Sequence, residues 1–537
     1  MRCVSIPGVL TLWLLLPAAA LAQAVLERSP YLMAGSPTQM VVRWRTDIAT
    51  PSVVRYGESP TILGNTVIEA GPTTEHEVEV TGLLPDTQYF YSVGTSTLEL
   101  AGGDPDHFFR TPPLKGTRQP IRIWVIGDSG QCAVSSQGCT DANAVKDEYL
   151  QAVGADPADL WLILGDNAYN NGTDPQYTAG FFDVYPEVMR KTVLYPTLGN
   201  HDLLTGGSVS ATQSGPYYDS FSMPKYGEAG GVASGTEAYY AFDWGNLHFI
   251  SIDSATVGTN LEVGGPMYDW LELDLMANDQ DWTIIYWHHP PYTKGSHDSD
   301  NPAEASLFEM RERFNPLIEQ WGVDLQLTGH SHSYERSKLI DGHYGLSSEC
   351  AAGECVIDGG DGDPGPSGDG PYLKATLGPA AHEGTVYAVV GSSSKNSGGL
   401  TAHPVMSYWL NYEGSLLIDV DGSTLAARFI DRNGAVRDTF QIEKQSPPVP
   451  TLPGWAIGGL VCLFLATSTG TLRRRLSARR CEAHQPGFKL SSSFSRSAGS
   501  TRTSQRRDCG VSPETSALRA TSSLISSTRP LNGDQTS

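Results

Sequence analysis

Five short blocks constrain this chain more than any other feature. They read Gly127-Asp128-Ser129-Gly130, Gly165-Asp166-Asn167-Ala168-Tyr169, Gly199-Asn200-His201-Asp202, His288-His289-Pro290 and Gly329-His330-Ser331-His332. Four of them follow apolar runs of strand character, at Ile121–Ile126, Leu160–Leu164, Trp282–Trp287 and Val323–Leu327; the block at Gly199 follows the weaker candidate Val193-Leu194-Tyr195. Asp or His beside Gly is common in turns, so one block alone says little. Five at strand ends call for a fold that gathers several strand ends in one place. Helical segments between the strands supply it. One is Asp141–Val153 and another is Ala303–Trp321, where Leu307, Met310, Phe314, Leu317 and Trp321 form one buried stripe and Pro316 should kink the helix. The reading is an α/β domain over 119–444, with β-sheets flanked by helices and ligands held at the carboxyl ends of strands. Further strands at Leu247–Ile252, Thr385–Val390 and Ser415–Ile430 complete it.

The blocks offer a particular set of donors. Asp128 and Asp166 are carboxylates, Asn200 is a neutral oxygen donor, His288, His330 and His332 are imidazoles, and Tyr169 can act as a phenolate. Mixed oxygen and nitrogen ligation suits Zn, Mn or Fe better than Ca or Mg, and a phenolate favours Fe(III). His330 and His332 are separated by one residue and can reach two different ions. Neither a Gly-rich phosphate loop nor a nucleophilic serine motif is present.

The N-terminal part has another character. Residues 24–112 carry strand-like runs at Gln39–Trp44, Ser52–Tyr56, Glu75–Val80 and Gln88–Val93 with turn residues between them, which reads as an all-β domain without chemistry of its own. Leu84-Pro85-Asp86-Thr87-Gln88-Tyr89 resembles the tyrosine corner of fibronectin type III sandwiches, where the phenol bonds back to nearby backbone.

The chain ends suggest export and anchoring. Arg2, the apolar run Val9–Leu16 and Ala20-Leu21-Ala22 fit a signal peptide over 1–22. A Pro-rich linker at 446–453 precedes an apolar stretch, 454–472, just long enough to span a bilayer, and Arg473-Arg474-Arg475 follows. Val449 to Trp455, the apolar run and the Arg cluster together resemble bacterial carboxy-terminal sorting signals, and 473–537 reads as a disordered basic Ser/Thr/Arg-rich tail. A secreted or surface-held protein, anchored in the membrane by this helix, is expected. Cys132, Cys139, Cys350 and Cys355 are then the cysteines of the exported body; of the three connectivities open to them, the short loops Cys132–Cys139 and Cys350–Cys355 are preferred. The Asp/Gly/Pro-dense segment Val356–Tyr372 matches no calcium-loop spacing and reads as a solvated loop. The formal charge of −23 disfavours a nucleic-acid partner.

Taken together, the five blocks resemble the metallophosphoesterase superfamily and, through Tyr169, its purple acid phosphatases; the resemblance covers about 121–430 and the preceding β domain. It implies a dinuclear centre of Fe(III) with Zn(II), Mn(II) or Fe(II). Asp128, Tyr169 and His332 would hold the ferric ion, Asn200, His288 and His330 the divalent ion, and Asp166 would bridge them. His201 would be the acid that binds or protonates the ester. His288 is taken as ligand because the family's ligand is followed by one residue and then Pro, with His289 as the alternative. His297 is a further candidate to face phosphate. The implied activity is an acid phosphatase acting on phosphate monoesters through a metal-bound hydroxide. A phosphodiesterase or nucleotide phosphohydrolase on the same centre is the alternative, and a non-catalytic surface binding protein is a third reading, which the complete ligand set disfavours.

Overall fold

The computed structural model describes residues 23–204, 206–256, 261–399 and 403–445. The signal-like segment, the linker, the apolar stretch 454–472 and the tail lie outside the described residues. Among those described, no helix is long and apolar enough to cross a membrane.

The chain forms an N-terminal β-rich part followed by an α/β domain. The two are joined more closely than the sequence suggests. Leu26–Ser36 is a strand that pairs antiparallel with Gln39–Gly57 and parallel with Val193–Pro196, Leu32 facing Val193 and Met33 facing Leu194. A single thirteen-stranded sheet therefore runs through both parts. Polar contacts reinforce the seam. The Arg28 guanidinium, buried, donates to Asp174 Oδ1 at 2.5 Å and to Ser220 Oγ at 2.8 Å and lies over the Phe182 ring. Arg45 reaches both Asp174 oxygens at 2.8 and 2.7 Å, and Tyr31 Oη donates to the Ser220 carbonyl at 2.7 Å.

The runs Gln39–Trp44 and Ser52–Tyr56 belong to one strand, Gln39–Gly57. The break between them is a shift in register against Asn65–Thr81 near Thr50, beside Pro51, which has no N–H to give to the ladder. Tyr89 Oη accepts the Leu84 N–H at 3.1 Å, the back-bond expected of a tyrosine corner.

In the α/β part, Ile121–Ile126, Leu160–Ile163 and Val193–Pro196 lie parallel in the large sheet. Leu247–Ser251, Trp282–Tyr286, Leu325–Thr328 and Val386–Val390 lie parallel in a seven-stranded sheet. The run Ser415–Ile430 is a hairpin, Gly414–Asp421 with Thr424–Asp431, and Val436–Lys444 adds another strand. The first helix begins earlier than expected, at Ser136, where Ser135 Oγ accepts the Gly138 N–H at 3.0 Å. The segment expected as one helix over 303–321 is divided into Ala305–Glu309, a wide π turn at Met310–Phe314, and Asn315–Gln320. Pro316 cannot donate to the turn before it, so the ladder loosens just ahead of it. The stripe itself faces inward as expected, with Leu307, Met310, Phe314 and Leu317 buried. The cysteines pair as Cys132–Cys139 and Cys350–Cys355.

One ionic clamp gives the fold a pH dependence. His248 is buried between Asp243 Oδ1 at 2.7 Å and Asp274 Oδ2 at 2.8 Å, tying the helix Pro266–Ala277 to the sheet. Burial alone would lower its imidazolium, but the two carboxylates outweigh it and push it up to about 9. A histidine raised in the folded state contributes stability that is full below its unfolded value of ~6.5 and is lost as pH rises through about 9. The expected outcome is a fall in apparent melting temperature across that window, corresponding to roughly 3 kcal/mol at most. His248→Gln should be less stable at pH 6 and should lose this slope, which thermal scans at several pH values would measure.

Candidate metal centre

The carboxyl ends of parallel strands from both sheets converge on one point. Asp128 follows Ile121–Ile126, Asp166 follows Leu160–Ile163, Asn200 and His201 follow Val193–Pro196, His288 follows Trp282–Tyr286, and His330 follows Leu325–Thr328. Three of the blocks turn sharply under the site. Asp128, Asp166 and His330 have φ of +56°, +52° and +65°, a left-handed conformation that side-chain-bearing residues rarely adopt. The glycines allow close approach: a Cβ on Gly165 would lie 2.7 Å from His288 Nδ1, and one on Gly329 would lie 2.5 Å from Asp128 Oδ2.

Two donor groups result, sharing Asp166. In the first, Tyr169 Oη lies 3.0 Å from Asp128 Oδ1, 2.8 Å from Asp166 Oδ2 and 3.4 Å from His332 Nε2, with His332 Nε2 3.5 Å from Asp128 Oδ1. In the second, Asn200 Oδ1 lies 3.0 Å from His288 Nε2 and 3.0 Å from His330 Nδ1; those nitrogens are 3.3 Å apart, and His288 Nε2 is 3.4 Å from Asp166 Oδ1. The seven residues named from the sequence as candidate ligands thus lie together. Backbone and hydroxyl contacts fix their aim. The His330 N–H donates to Asp128 Oδ2, the His201 N–H to Asp166 Oδ1, and His332 Nδ1 meets Ser397 Oγ at 2.9 Å.

The electrostatics fit a missing positive charge. Asp128, Asp166 and Tyr169 are buried, and among the described residues the ion-pair partners of both carboxylates are histidines. His288 Nδ1 meets the Leu164 carbonyl at 2.8 Å, which can only accept, so the ring proton sits there and the Nε2 lone pair faces Asn200 and Asp166 oxygens. Lone pair against lone pair is favourable only with a cation between them. Burial lowers the His288 imidazolium, but Asp166 and Asp128 outweigh it and push it up to about 9. Burial, then Asp128 and Asp166, push the Tyr169 phenol well above its ordinary range, so a strong cation is needed to ionise it. Hard oxygen donors grouped with Tyr169 and imidazoles grouped with Asn200 fit one hard and one borderline ion.

The remaining candidates take distinct places. His201 Nδ1 donates to the Asn170 carbonyl at 2.6 Å, leaving Nε2 turned to the centre, 3.9 Å from Asp166 Oδ2. His297 stacks on His330 with ring centroids 3.9 Å apart, and its Nδ1 meets Glu304 Oε2 at 2.8 Å. His297 lines a cleft of about 470 Å³ together with His289, Leu307 and His330, whereas His201 packs against the Tyr169 ring. His289 lies beside His330, with its Nδ1 held by Ser254 Oγ at 3.0 Å.

Sequence reasoning passed over three supporting residues. Asp202 is buried and accepts from Tyr177 Oη at 2.6 Å, the Gly199 N–H at 2.8 Å and Asn167 Nδ2 at 3.0 Å, binding two of the blocks together. Burial and the nearby Asp166 charge push its carboxyl up to about 6. Its signal was available, since it completes the block Gly199-Asn200-His201-Asp202. Ser254 and Glu304 gave no comparable signal, because their roles arise only from tertiary placement.

Comparison with known proteins agrees with this geometry. Residues 29–111 match the family model for the purple acid phosphatase N-terminal domain, and residues 121–334 match the calcineurin-like phosphoesterase model. The chain is thus similar to purple acid phosphatases in both of its parts. Among curated relatives, it is 28% identical to purple acid phosphatase 15 of Arabidopsis thaliana over 49% of this chain and 50% of that one. It is also 28% identical to purple acid phosphatase 18 of the same plant, over 60% of this chain and 68% of that one. The chain thus spans about half to two thirds of the length of these relatives. Its fold is similar to that of the purple acid phosphatase PPD1 from yellow lupin, with a TM-score of 0.57 at 19% identity over 79% of this chain and 77% of that one. It is also similar to PhoD, with a TM-score of 0.55 at 13% identity over 81% and 95%.

Because Asp166 belongs to both donor groups, its removal should disable both. Wild type is expected to hold two metal ions per chain and to melt lower after chelation, by mass action on the folded state. Asp166→Ala should bind less than one ion and show no effect of chelator on its melting temperature. Elemental analysis and thermal scans check both.

Proposed function

We propose that this protein is an exported, metal-dependent acid phosphatase that hydrolyses phosphate monoesters. The observation that carries the reading is the pair of donor groups sharing Asp166 and including the Tyr169 phenol. In this reading Asp128, Tyr169 and His332 would hold Fe(III), Asn200, His288 and His330 would hold Zn(II), Mn(II) or Fe(II), and Asp166 would serve both. When bound, such a pair supplies Lewis acidity toward phosphoryl oxygens and a nucleophile from water near neutral pH.

The chain's own residues do the rest. His201 presents Nε2 to the centre while its Nδ1 proton is committed to the Asn170 carbonyl. A proton carried on Nε2 is then placed to pass to the leaving alkoxide oxygen. The Asn170 contact fixes the ring, so little orientational freedom is lost as the proton moves. His297, oriented by Glu304, lines the cleft beside His330 and is positioned to bind a phosphate oxygen. The cleft is open, which leaves room for a substituent beyond the phosphate; a diester or a nucleotide is the alternative substrate for the same centre.

Export is supported by the signal-like start and by two disulfides, which persist in oxidising compartments. Retention in a membrane through 454–472 rests on the sequence of that segment alone. The domain division 24–112 and 119–444 is supported by the change from all-β to alternating strands and helices, although one sheet spans both.

His201→Ala is the test of the catalytic assignment. It should keep both metals and lose turnover of a phosphate monoester on the order of 10²–10⁴-fold. The loss should be smaller for an aryl phosphate, whose leaving group needs less help from an acid, than for an alkyl phosphate. Equal losses for the two esters, or unchanged turnover, would remove His201 from this role.

A further inference from the structure

The adjacent His288 and His289 end in opposite environments. Ser254 Oγ accepts the His288 N–H at 3.1 Å and the His289 N–H at 3.0 Å, and it lies 3.0 Å from His289 Nδ1. A serine hydroxyl has two lone pairs and one proton. Both lone pairs are taken by the backbone, so the hydroxyl proton points at His289 Nδ1, which must accept it. The neutral His289 ring then carries its own proton on Nε2. An imidazole so arranged cannot ligate a metal through Nε2, and Nδ1 is occupied. This separates His289 from His288, whose lone pair is the one facing Asn200.

His289 Nε2 has no hydrogen-bond partner among the described residues, and it is not one of the solvent-excluded polar atoms. The ring lines the cleft that also carries His297, Glu304 and His330, with its centroid 4.4 Å from that of His330. A ring nitrogen of each of His288, His289 and His330 lies within 4.8 Å of the others. A fixed N–H donor therefore stands at the rim of the second donor group, with nothing among the described residues to accept from it. We propose that His289 is a substrate-binding residue whose Nε2–H donates to a phosphoryl oxygen of the bound ester, with Ser254 as the positioning residue that fixes its tautomer. The inference rests on the phosphate-ester reading of the site and adds a contact to it.

The contact is made to phosphate itself, so it should hold substrate and transition state alike, and its loss should appear in KM and not in kcat. Two amides separate this role from a structural one. The amide of an asparagine reaches about as far as Nδ1, so His289→Asn keeps a partner for Ser254 and loses the donor in the cleft. The amide of a glutamine reaches about as far as Nε2, so His289→Gln restores it. The measurements are kcat and KM for p-nitrophenyl phosphate, the dissociation constant of inorganic phosphate by calorimetry, and metal content, all on the full chain loaded with metal. Expected for His289→Asn are two metals retained, kcat within about threefold of wild type, and KM and the phosphate constant both raised about tenfold, the size of a lost hydrogen bond to a charged group. His289→Gln should stay within about threefold of wild type throughout. Unchanged constants in His289→Asn would overturn the proposal. So would a rise in KM without a rise in the phosphate constant, which would place the contact on the organic part of the ester, or loss of a metal ion in either variant. A wild-type protein that turned over no ester would sink the phosphatase reading instead, and the phosphate calorimetry would still decide the contact.

Discussion

Two buried carboxylates and a phenol stand within about hydrogen-bond distance of one another, and the described chain gives them histidines as their ion-pair partners. Burying negative charge without fixed positive charge is costly, because an ion leaves water for a less polarisable interior. Bound cations resolve the conflict, and much of the surrounding structure follows from the need to hold donors ready for them. Left-handed backbone at Asp128, Asp166 and His330 is tolerated there because glycines, strand ends and hydrogen bonds from His201 and His330 backbone leave these residues no other place. Asp202 serves the same end, joining the turn after one strand to the turn after another.

The two sheets supply the rigidity that such a site demands. Parallel strands place successive chain ends at one edge, so donors far apart in sequence meet without long excursions. The N-terminal part contributes more than a tether, since Leu26–Ser36 lies directly against Val193–Pro196, the strand that leads to Asn200 and His201. The Arg28–Asp174 pair and its neighbours hold that seam from the other side. A site built on central strands is thereby braced by a domain that brings no chemistry to it.

The gathering of these donors was legible because residue type and local backbone mark it: Asp, Asn and His follow strands, and glycines let the chain turn beside them. Tyr169 was legible for its spacing from Asp166. Other parts were hidden for physical reasons. Leu26–Ser36 is a central strand buried on nearly its whole length, so it lacks the alternation that marks a half-buried strand. Val436–Lys444 does alternate, but two of its inward residues are charged: Asp438 pairs with Arg336 at 2.6 Å and Lys444 with Asp324 at 2.8 Å, so the polar pattern conceals an inward face. The π turn before Pro316 was foreseen only as a kink, since the sequence marks where a helix must yield and not how. Ser254 reaches His289 from another loop and Glu304 reaches His297 from seven residues on in the same loop, and no local pattern announces either.

The central claim is that Tyr169 ligates a ferric ion in a dinuclear centre, and light absorption tests it most directly. The purified full chain should contain iron with a second metal and show a broad visible band from phenolate-to-ferric charge transfer. Tyr169→Phe should abolish the band and lower the iron content, while hydrolysis survives with another metal. A wild-type protein that holds two metals, and whose spectrum and iron content are unaltered by Tyr169→Phe, would contradict the account.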